Sequence, residues 1–307
     1  MSTRTNEEAA RPIALIINTN SRRGHDEFEL AQKALRDAGL NIEAHAVEDE
    51  KASASLLKRE VDANAKMVIV GGGDGTLSHA ASHLVHTDVA LGVLPMGTGN
   101  TFARSLGLPL DLGGAAKTIA AQHIEKIDVG KVNNQIFLNS VALGLTTEIA
   151  QALTKDIKKK LGLLAWPFVG FRVLASHRAL VLKVSSQEKS FEVRTHQLLI
   201  VNGRYVAGPI AAAPDASVQD HAFDVFVLGG AKKGTLLRAT WNWLRHKHIY
   251  TPENRYFTTQ KLRVESPRRA INANIDGEIN DQTPLEMEIL PSALRVVVPW
   301  GFDAENV

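Results

Sequence analysis

The segment Met67-Val-Ile-Val70 runs without a break into Gly71-Gly-Gly-Asp-Gly-Thr76, and this junction restricts the fold more than any other feature of the chain. A bare hydrophobic run rich in β-branched residues reads as a strand covered on both faces, which is the habit of parallel sheets. The glycines after it, with a helical stretch at 77–85 beyond, complete a strand–turn–helix unit. The unit recurs on both sides. Ile13-Ala-Leu-Ile-Ile17 ends in the polar Asn18-Thr-Asn-Ser21, and residues 26–38 place Phe28, Leu30, Ala31, Ala34 and Leu35 at helical spacings before Gly39. A strand at 40–47 and a helix at 53–61 follow, and a strand at 89–94 feeds a second glycine-rich turn, Pro95-Met-Gly-Thr-Gly-Asn100. Such alternation predicts a doubly wound parallel sheet with helices on both faces.

Beyond about residue 124 the texture changes to strand-like runs at 136–142, 180–184, 198–201, 223–228 and 294–298. These predict a mainly antiparallel, β-sandwich-like second domain. Domains are therefore expected at 1–124 and 125–307, with the last residues able to pack back on the first domain. A length of 307 residues accommodates two such domains.

Composition narrows the function classes. With 44% hydrophobic and 22% charged residues the chain is neither disordered nor fibrous. Its net charge of +2 lacks the basic excess of a nucleic-acid binder, so no nucleic-acid partner is expected. The absence of cysteine removes disulfides, thiolate metal sites and cysteine nucleophiles. The apolar stretch at 13–17 is too short for a signal-peptide core, so export is not expected. The apolar run at 161–171 contains Gly162, Pro167 and Gly170 and falls short of the ~20 residues that a helix needs to span a bilayer.

Four glycines between a strand and a helix can bring backbone N–H groups close to an anion, with positive φ as the expected means. Thr76 could cap the following helix or bond a phosphate oxygen. Neither common nucleotide fingerprint is present: no Lys-Ser or Lys-Thr completes a P-loop, and Thr76 occupies the third glycine position of a dinucleotide motif. Asp74 would repel phosphate oxygens, so it either meets Mg2+ or accepts hydrogen bonds that position other groups; a simple Asx turn is the structural alternative.

Taken together, Gly71-Gly-Gly-Asp-Gly-Thr76, then Leu94-Pro-Met-Gly-Thr-Gly-Asn100 with Phe102-Ala-Arg104, and finally Asn274-Ile-Asp-Gly-Glu278 resemble the diacylglycerol kinase catalytic-domain family, in particular its soluble bacterial lipid kinases. The resemblance runs from about Ile13 to Val298. It implies an ATP-dependent lipid kinase with a nucleotide-binding first domain and a lipid-substrate second domain. ATP would lie against Gly71, Gly72, Gly73, Asp74, Gly75 and Thr76, with Asn18, Thr19, Asn20, Ser21, Arg22, Thr98 and Asn100 lining the same place. Asp276 would be the general base for the lipid hydroxyl, and Glu278 its orienting or substitute partner, with Asp74 as a further acidic member. By spacing alone, Asp276-Gly277 reads as a surface β-turn. A structural Mg2+ would be held by Asp220 and the main-chain carbonyls of Ser217 and Ala222. Three departures from the family pattern stand out: Thr101 replaces an Asp, Gln219 replaces an Asp, and His221 replaces a glycine, where it disfavours a positive-φ turn.

A lipid kinase must reach a membrane surface. Lys155, Lys158, Lys159 and Lys160 beside Trp166 and Phe168, and the shorter Trp241-Asn-Trp-Leu-Arg-His-Lys-His248, combine basic and aromatic residues as interfacial segments do. Core helices with a basic outer face would look the same. The expected location is cytoplasmic, with peripheral contact at the inner face of the membrane. A soluble kinase for NAD or a sugar phosphate, and a nucleotide- or lipid-binding protein without turnover, are the competing readings.

Overall fold

A computed structural model describes residues 11–19, 24–153, 165–213, 215–229 and 255–305. Asn20, Ser21 and Arg22, the lysines at 155–160 and the segment 241–248 lie outside the described residues. The chain divides into two compact units, 1–127 with 292–307, and 128–291.

The first unit alternates strands and helices: β1 (Ile13–Asn18), α1 (Gly24–Asp37), β2 (Ile42–Val47), α2 (Glu50–Asp62), β3 (Met67–Gly72), α3 (Asp74–Leu84), β4 (Ala90–Pro95), α4 (Thr101–Ser105) and α5 (Leu112–Ala121). The strands lie in the order β2-β1-β3-β4, all parallel. β3 and β4 are buried at every residue, as their uninterrupted apolar sequences require. Because side chains alternate along a strand, Leu15, Ile17 and Ile69 turn to one face, where they pack with Leu35 of α1 and Ile119 of α5. The helices α2 and α3 pack with each other. Asp49 caps α2 through the Ala52 amide, and Asp111 caps α5 through the Gly114 amide.

The second unit contains β5 (Ile124–Val132, which enters it at Asp128), β6 (Gln135–Phe137), β7 (Ser140–Gly144), α6 (Leu145–Ala152), α7 (Ala165–Ser176), β8 (Leu180–Ser186), β9 (Ser190–Val201), β10 (Tyr205–Ala207), β11 (Ile210–Ala211), β12 (Phe223–Gly229), β13 (Arg255–Thr259), β14 (Lys261–Glu265), β15 (Asn272–Ile275), β16 (Glu278–Gln282) and β17 (Leu285–Val297, which leaves it after Pro291). Pairing is antiparallel, and β9 belongs to two layers. Its first half pairs with β8, and its second half lies between β7 and β12. One layer runs β16-β15-β7-β9-β12-β13 and the other continues from β9 through β8, β14 and β17. Between them sits a core that includes Phe137, Leu198, Phe223, Val264 and Leu285. This is the sandwich-like domain expected from the strand runs.

One expected strand, 136–142, is interrupted. The chain leaves β6 after Phe137 and resumes pairing at Ser140, because the amides of Leu138, Asn139 and Ser140 are drawn to a carboxylate described below. Phe137 itself lies across Gly130 of β5, where a Cβ would come within 2.2 Å of the ring, and it stacks on Phe223 at 5.5 Å. Gly130→Ala should therefore destabilise the protein by ~1–3 kcal/mol through overpacking. Chemical denaturation measures this, and an unchanged midpoint would show that the ring has room to move.

Candidate functional site

The chain passes from β1 to β2 on one side of the first sheet and from β3 to β4 on the other, so β1 and β3 flank a topological crossover. Ligands of open α/β sheets bind outside the carboxyl ends of the strands at such a point. The register brings Ile17 beside Gly71 and Gly72 beside Pro95, so Asn18 and Thr19, the first glycine turn and the Met96–Asn100 turn share that edge. Thr19 is fixed by its amide on the Val47 carbonyl. Thr98 is exposed and Asn100 buried.

The glycines work differently from the expectation. None of Gly71, Gly72, Gly73 and Gly75 has a positive φ. Gly71 and Gly72 complete β3, and Gly73 is the extended N-cap of α3. They are small because of what touches them. A Cβ on Gly71 would meet Met96 Sδ at 2.6 Å, and one on Gly72 would meet the Thr76 side chain at 2.6 Å. In the second turn, a Cβ on Gly97 would meet Gly73 Cα at 2.6 Å. Two backbones thus cross at van der Waals contact, and Gly73 and Gly97 are the crossing point.

Thr76 does not cap α3, since the helix already begins at Asp74. Its N-cap, Gly73, provides no side-chain bond, so among the described residues no side chain caps the first turn. Asp74 accepts the Phe102 amide at 2.9 Å, which ties the first turn of α4 to that of α3. The bond reaches 28 residues along the chain and is not an Asx turn within the loop. Asn100 takes a left-handed conformation with φ of 49° and accepts the Gly97 amide at 2.8 Å, while Arg104 Nε donates to the Gly99 carbonyl. Thr101 is buried at the start of α4.

In the second unit, Asp276 and Gly277 form the two-residue turn of the β15–β16 hairpin, with φ of 48° and 97°. Positive φ at both positions is the type I′ pattern that Asp-Gly favours. The Asp276 side chain is not a surface ornament. Its Oδ2 accepts the Leu138 amide at 2.6 Å, and its Oδ1 accepts those of Asn139 and Ser140 at 2.8 and 2.9 Å. Its own amide donates to the Ser140 carbonyl. Glu278 opens β16 and is exposed.

The loop at 217–222 is built around two aspartates. Asp220 accepts the amides of Ser217 and Ala222 at 3.2 and 3.0 Å. Burial of its carboxylate pushes the pKa up to about 6; the two amide bonds oppose this, and Asp224 and Asp128 add to it. Asp224 is likewise raised, chiefly by burial, despite its bond from the Tyr256 hydroxyl. His221 adopts the positive-φ turn that a side chain disfavours, with φ of 60°. Asp128 makes this possible: its buried carboxylate accepts the His221 amide at 2.7 Å and meets Nδ1 at 2.9 Å. The Asp220 carboxylate and the main-chain carbonyls near it are oxygen ligands of the type that a hard divalent cation takes. Among the described residues no three acidic or histidine side chains converge on one point, so such an ion would rest on Asp220 and main-chain carbonyls.

Sequence reasoning overlooked Asp128 and Asn202. Nothing local marked Asp128, because Ile127-Asp-Val129 reads as an ordinary alternating strand with its charge turned to solvent. Asn202 sits in a loop at the end of a strand, and nothing local marks it.

Comparison with known proteins agrees with this architecture. Residues 12–132 match the family model described as the diacylglycerol kinase catalytic domain. Residues 139–298 match the YegS C-terminal NAD kinase beta sandwich-like domain. The chain is 31% identical over 294 residues to a diacylglycerol kinase of Bacillus subtilis (strain 168), covering 93% of this chain and 95% of that protein. It is 28% identical over 305 residues to a probable lipid kinase YegS-like of Pseudomonas aeruginosa, covering 94% of each. A crystal structure of a diacylglycerol kinase from Bacillus anthracis str. Sterne superposes with a TM-score of 0.74 at 20% identity, covering 95% of this chain and 98% of that one, which speaks to the fold alone.

Proposed function

Because the chain belongs to the diacylglycerol kinase catalytic-domain family, we propose that it transfers the γ-phosphate of ATP to the hydroxyl of diacylglycerol or a related lipid alcohol, with Mg2+ and a carboxylate base. The observation that carries the reading is the first turn of α3, which has no side-chain cap and lies at the β1/β3 crossover with a second glycine turn held against it. Amides there bind the triphosphate, and Asp74 keeps the second turn in place through Phe102. Asn18, Thr19, Thr98 and Asn100 supply polar atoms on the same edge. In the acceptor half of the reaction, Asp276 takes the hydroxyl proton as that oxygen bonds the γ-phosphorus and the bond to the ADP oxygen breaks. Glu278 orients Asp276 or substitutes for it. Bound Mg2+ supplies charge neutralisation at the phosphate oxygens, and Asp220 with the carbonyls of Ser217 and Ala222 holds one ion in a structural position.

The lipid hydroxyl lies at a membrane surface, so contact is peripheral and at the cytoplasmic face; among the described residues no helix is long and apolar enough to cross a bilayer. Radiolabelled ATP offered with a panel of lipid acceptors, NAD and sugar phosphates tests the reading. Labelled phospholipid is the expected product. Labelled NADP or sugar phosphate would move the chain to the soluble kinases, and ATP binding with no product from any acceptor would make it a binding protein. His221, at φ of 60°, holds the positive-φ turn that a glycine favours, which supports the catalytic reading over the non-catalytic one.

The ion is tested by pH. A carboxyl raised in the folded state adds stability only while protonated, so Asp220's contribution is present at low pH and is lost as pH rises through about 6. Metal needs the ionised form and should offset that loss. Mg2+ is therefore expected to raise Tm little near about pH 5 and most near about pH 8, and Asp220→Asn should remove the difference. An equal gain at both ends of the range would place the ion elsewhere.

A further inference from the structure

The interruption between β6 and β7 is gripped from two sides. Asn202, buried just after β9, donates its backbone amide to the Asn139 carbonyl at 2.9 Å. Its Nδ2 donates to the carbonyls of Leu138 at 3.1 Å and Asp128 at 3.0 Å. A nitrogen between two carbonyl oxygens fixes the orientation of the side-chain amide, and Oδ1 finds no partner among the described residues. The residue is thus built in as a donor, at the cost of one unsatisfied acceptor.

What those donors hold are two consecutive peptide groups. The Leu138 carbonyl belongs to the same peptide as the Asn139 amide, and the Asn139 carbonyl to the same peptide as the Ser140 amide. Both amides end on Asp276 Oδ1. Each peptide is therefore held by Asn202 at its oxygen and by Asp276 at its nitrogen, with its dipole directed at the carboxylate. Hydrogen bonds arranged in series in this way polarise one another. The remaining Nδ2 bond leads to Asp128, whose amide donates to the Val218 carbonyl at 2.7 Å and whose carboxylate holds His221 beside Asp220.

We propose that Asn202 is a positioning residue for phosphoryl transfer: it orients the two peptides that fix the Asp276 carboxylate and ties that carboxylate to the Asp128–His221–Asp220 loop. The inference rests on the reading of Asp276 as the base. Asn202 touches no substrate and acts through Leu138, Asn139 and Asp128.

The test uses the full chain with ATP and dioleoylglycerol in mixed micelles. Asn202→Leu removes both side-chain donors, and Asn202→Ser leaves room for water if the leucine variant does not fold. The expected result is a kcat lower by ~10²-fold, the scale of a displaced catalytic group, with KM for the lipid and the dissociation constant for ATP unchanged. Amide exchange at Leu138–Ser140 should quicken in the same variants. A fall in Tm with faster exchange but the parent kcat would overturn the proposal and leave Asn202 as a structural clamp. Asp276→Asn is measured alongside. If it keeps turnover, the base assignment fails and this inference falls with it; if it is inactive while the Asn202 variants keep full kcat, only the positioning role fails.

Discussion

Asp276→Asn is expected to lower kcat by about 10³-fold, inside the ~10²–10⁴ range that a positioned general base contributes, while the dissociation constant for ATP stays unchanged. The nucleotide groups named above belong to residues 18–100 and the base to a hairpin in 128–291, so the substitution separates chemistry from nucleotide affinity. Asparagine suits the position, because it tolerates the left-handed conformation at φ of 48°. It cannot reproduce the acceptor pattern. With its oxygen on the Asn139 and Ser140 amides, its NH2 faces the Leu138 amide, donor against donor. A stability loss of ~1–3 kcal/mol should accompany the kinetic loss, so kcat must be taken at a temperature where the variant is folded. Glu278→Gln, at an exposed position with no such amides, is expected to cost less in both measures. If Asp276→Asn is destabilised but retains activity within about tenfold of the parent, the carboxylate is a hairpin clamp and proton removal belongs to another group.

The first unit was legible because a parallel strand covered on both faces has nowhere to hide its composition. Ile13-Ala-Leu-Ile-Ile17 and Met67-Val-Ile-Val70 are apolar throughout, and each strand ends within two residues of its apolar run. The identity of the glycine turns was legible too, but their physical reason was not. Four glycines suggested unusual dihedrals, whereas the backbone is extended through Gly73 and helical at Gly75, and the constraint is a crossing with a second turn more than twenty residues on. Sequence spacing carries no record of such a contact. The same holds for Asp276. Its neighbours Gly277 and Glu278 announce a hairpin, and the hairpin is there, but the amides that claim its carboxylate come from a loop 136–138 residues earlier. His221 failed in the opposite direction. The local rule against a positive φ was sound, and a buried Asp128 93 residues away overrode it with two hydrogen bonds.

Gly97→Val should abolish measurable ATP binding, or weaken it by at least ~10²-fold, the scale at which a misplaced group loses its partner. A Cβ at Gly97 would stand 2.6 Å from Gly73 Cα and 2.9 Å from Asn100 Oδ1, and neither neighbour can yield. Gly73 joins the end of β3 to the start of α3, whose first turn is pinned through Asp74 to Phe102. Asn100 is held by the bond from the Gly97 amide itself. The two turns must therefore separate, and the amides of α3 lose the alignment on which the triphosphate reading depends. Overpacking should cost ~1–3 kcal/mol of stability as well, which calorimetry of the ligand-free protein measures separately from nucleotide titration. Gly170→Ala is the control, because a Cβ there meets nothing within 4 Å among the described residues; it should leave ATP affinity unchanged. Should Gly97→Val fold and bind ATP like the parent, the crossing of the two turns is a packing device of the sheet edge, and the phosphates lie elsewhere.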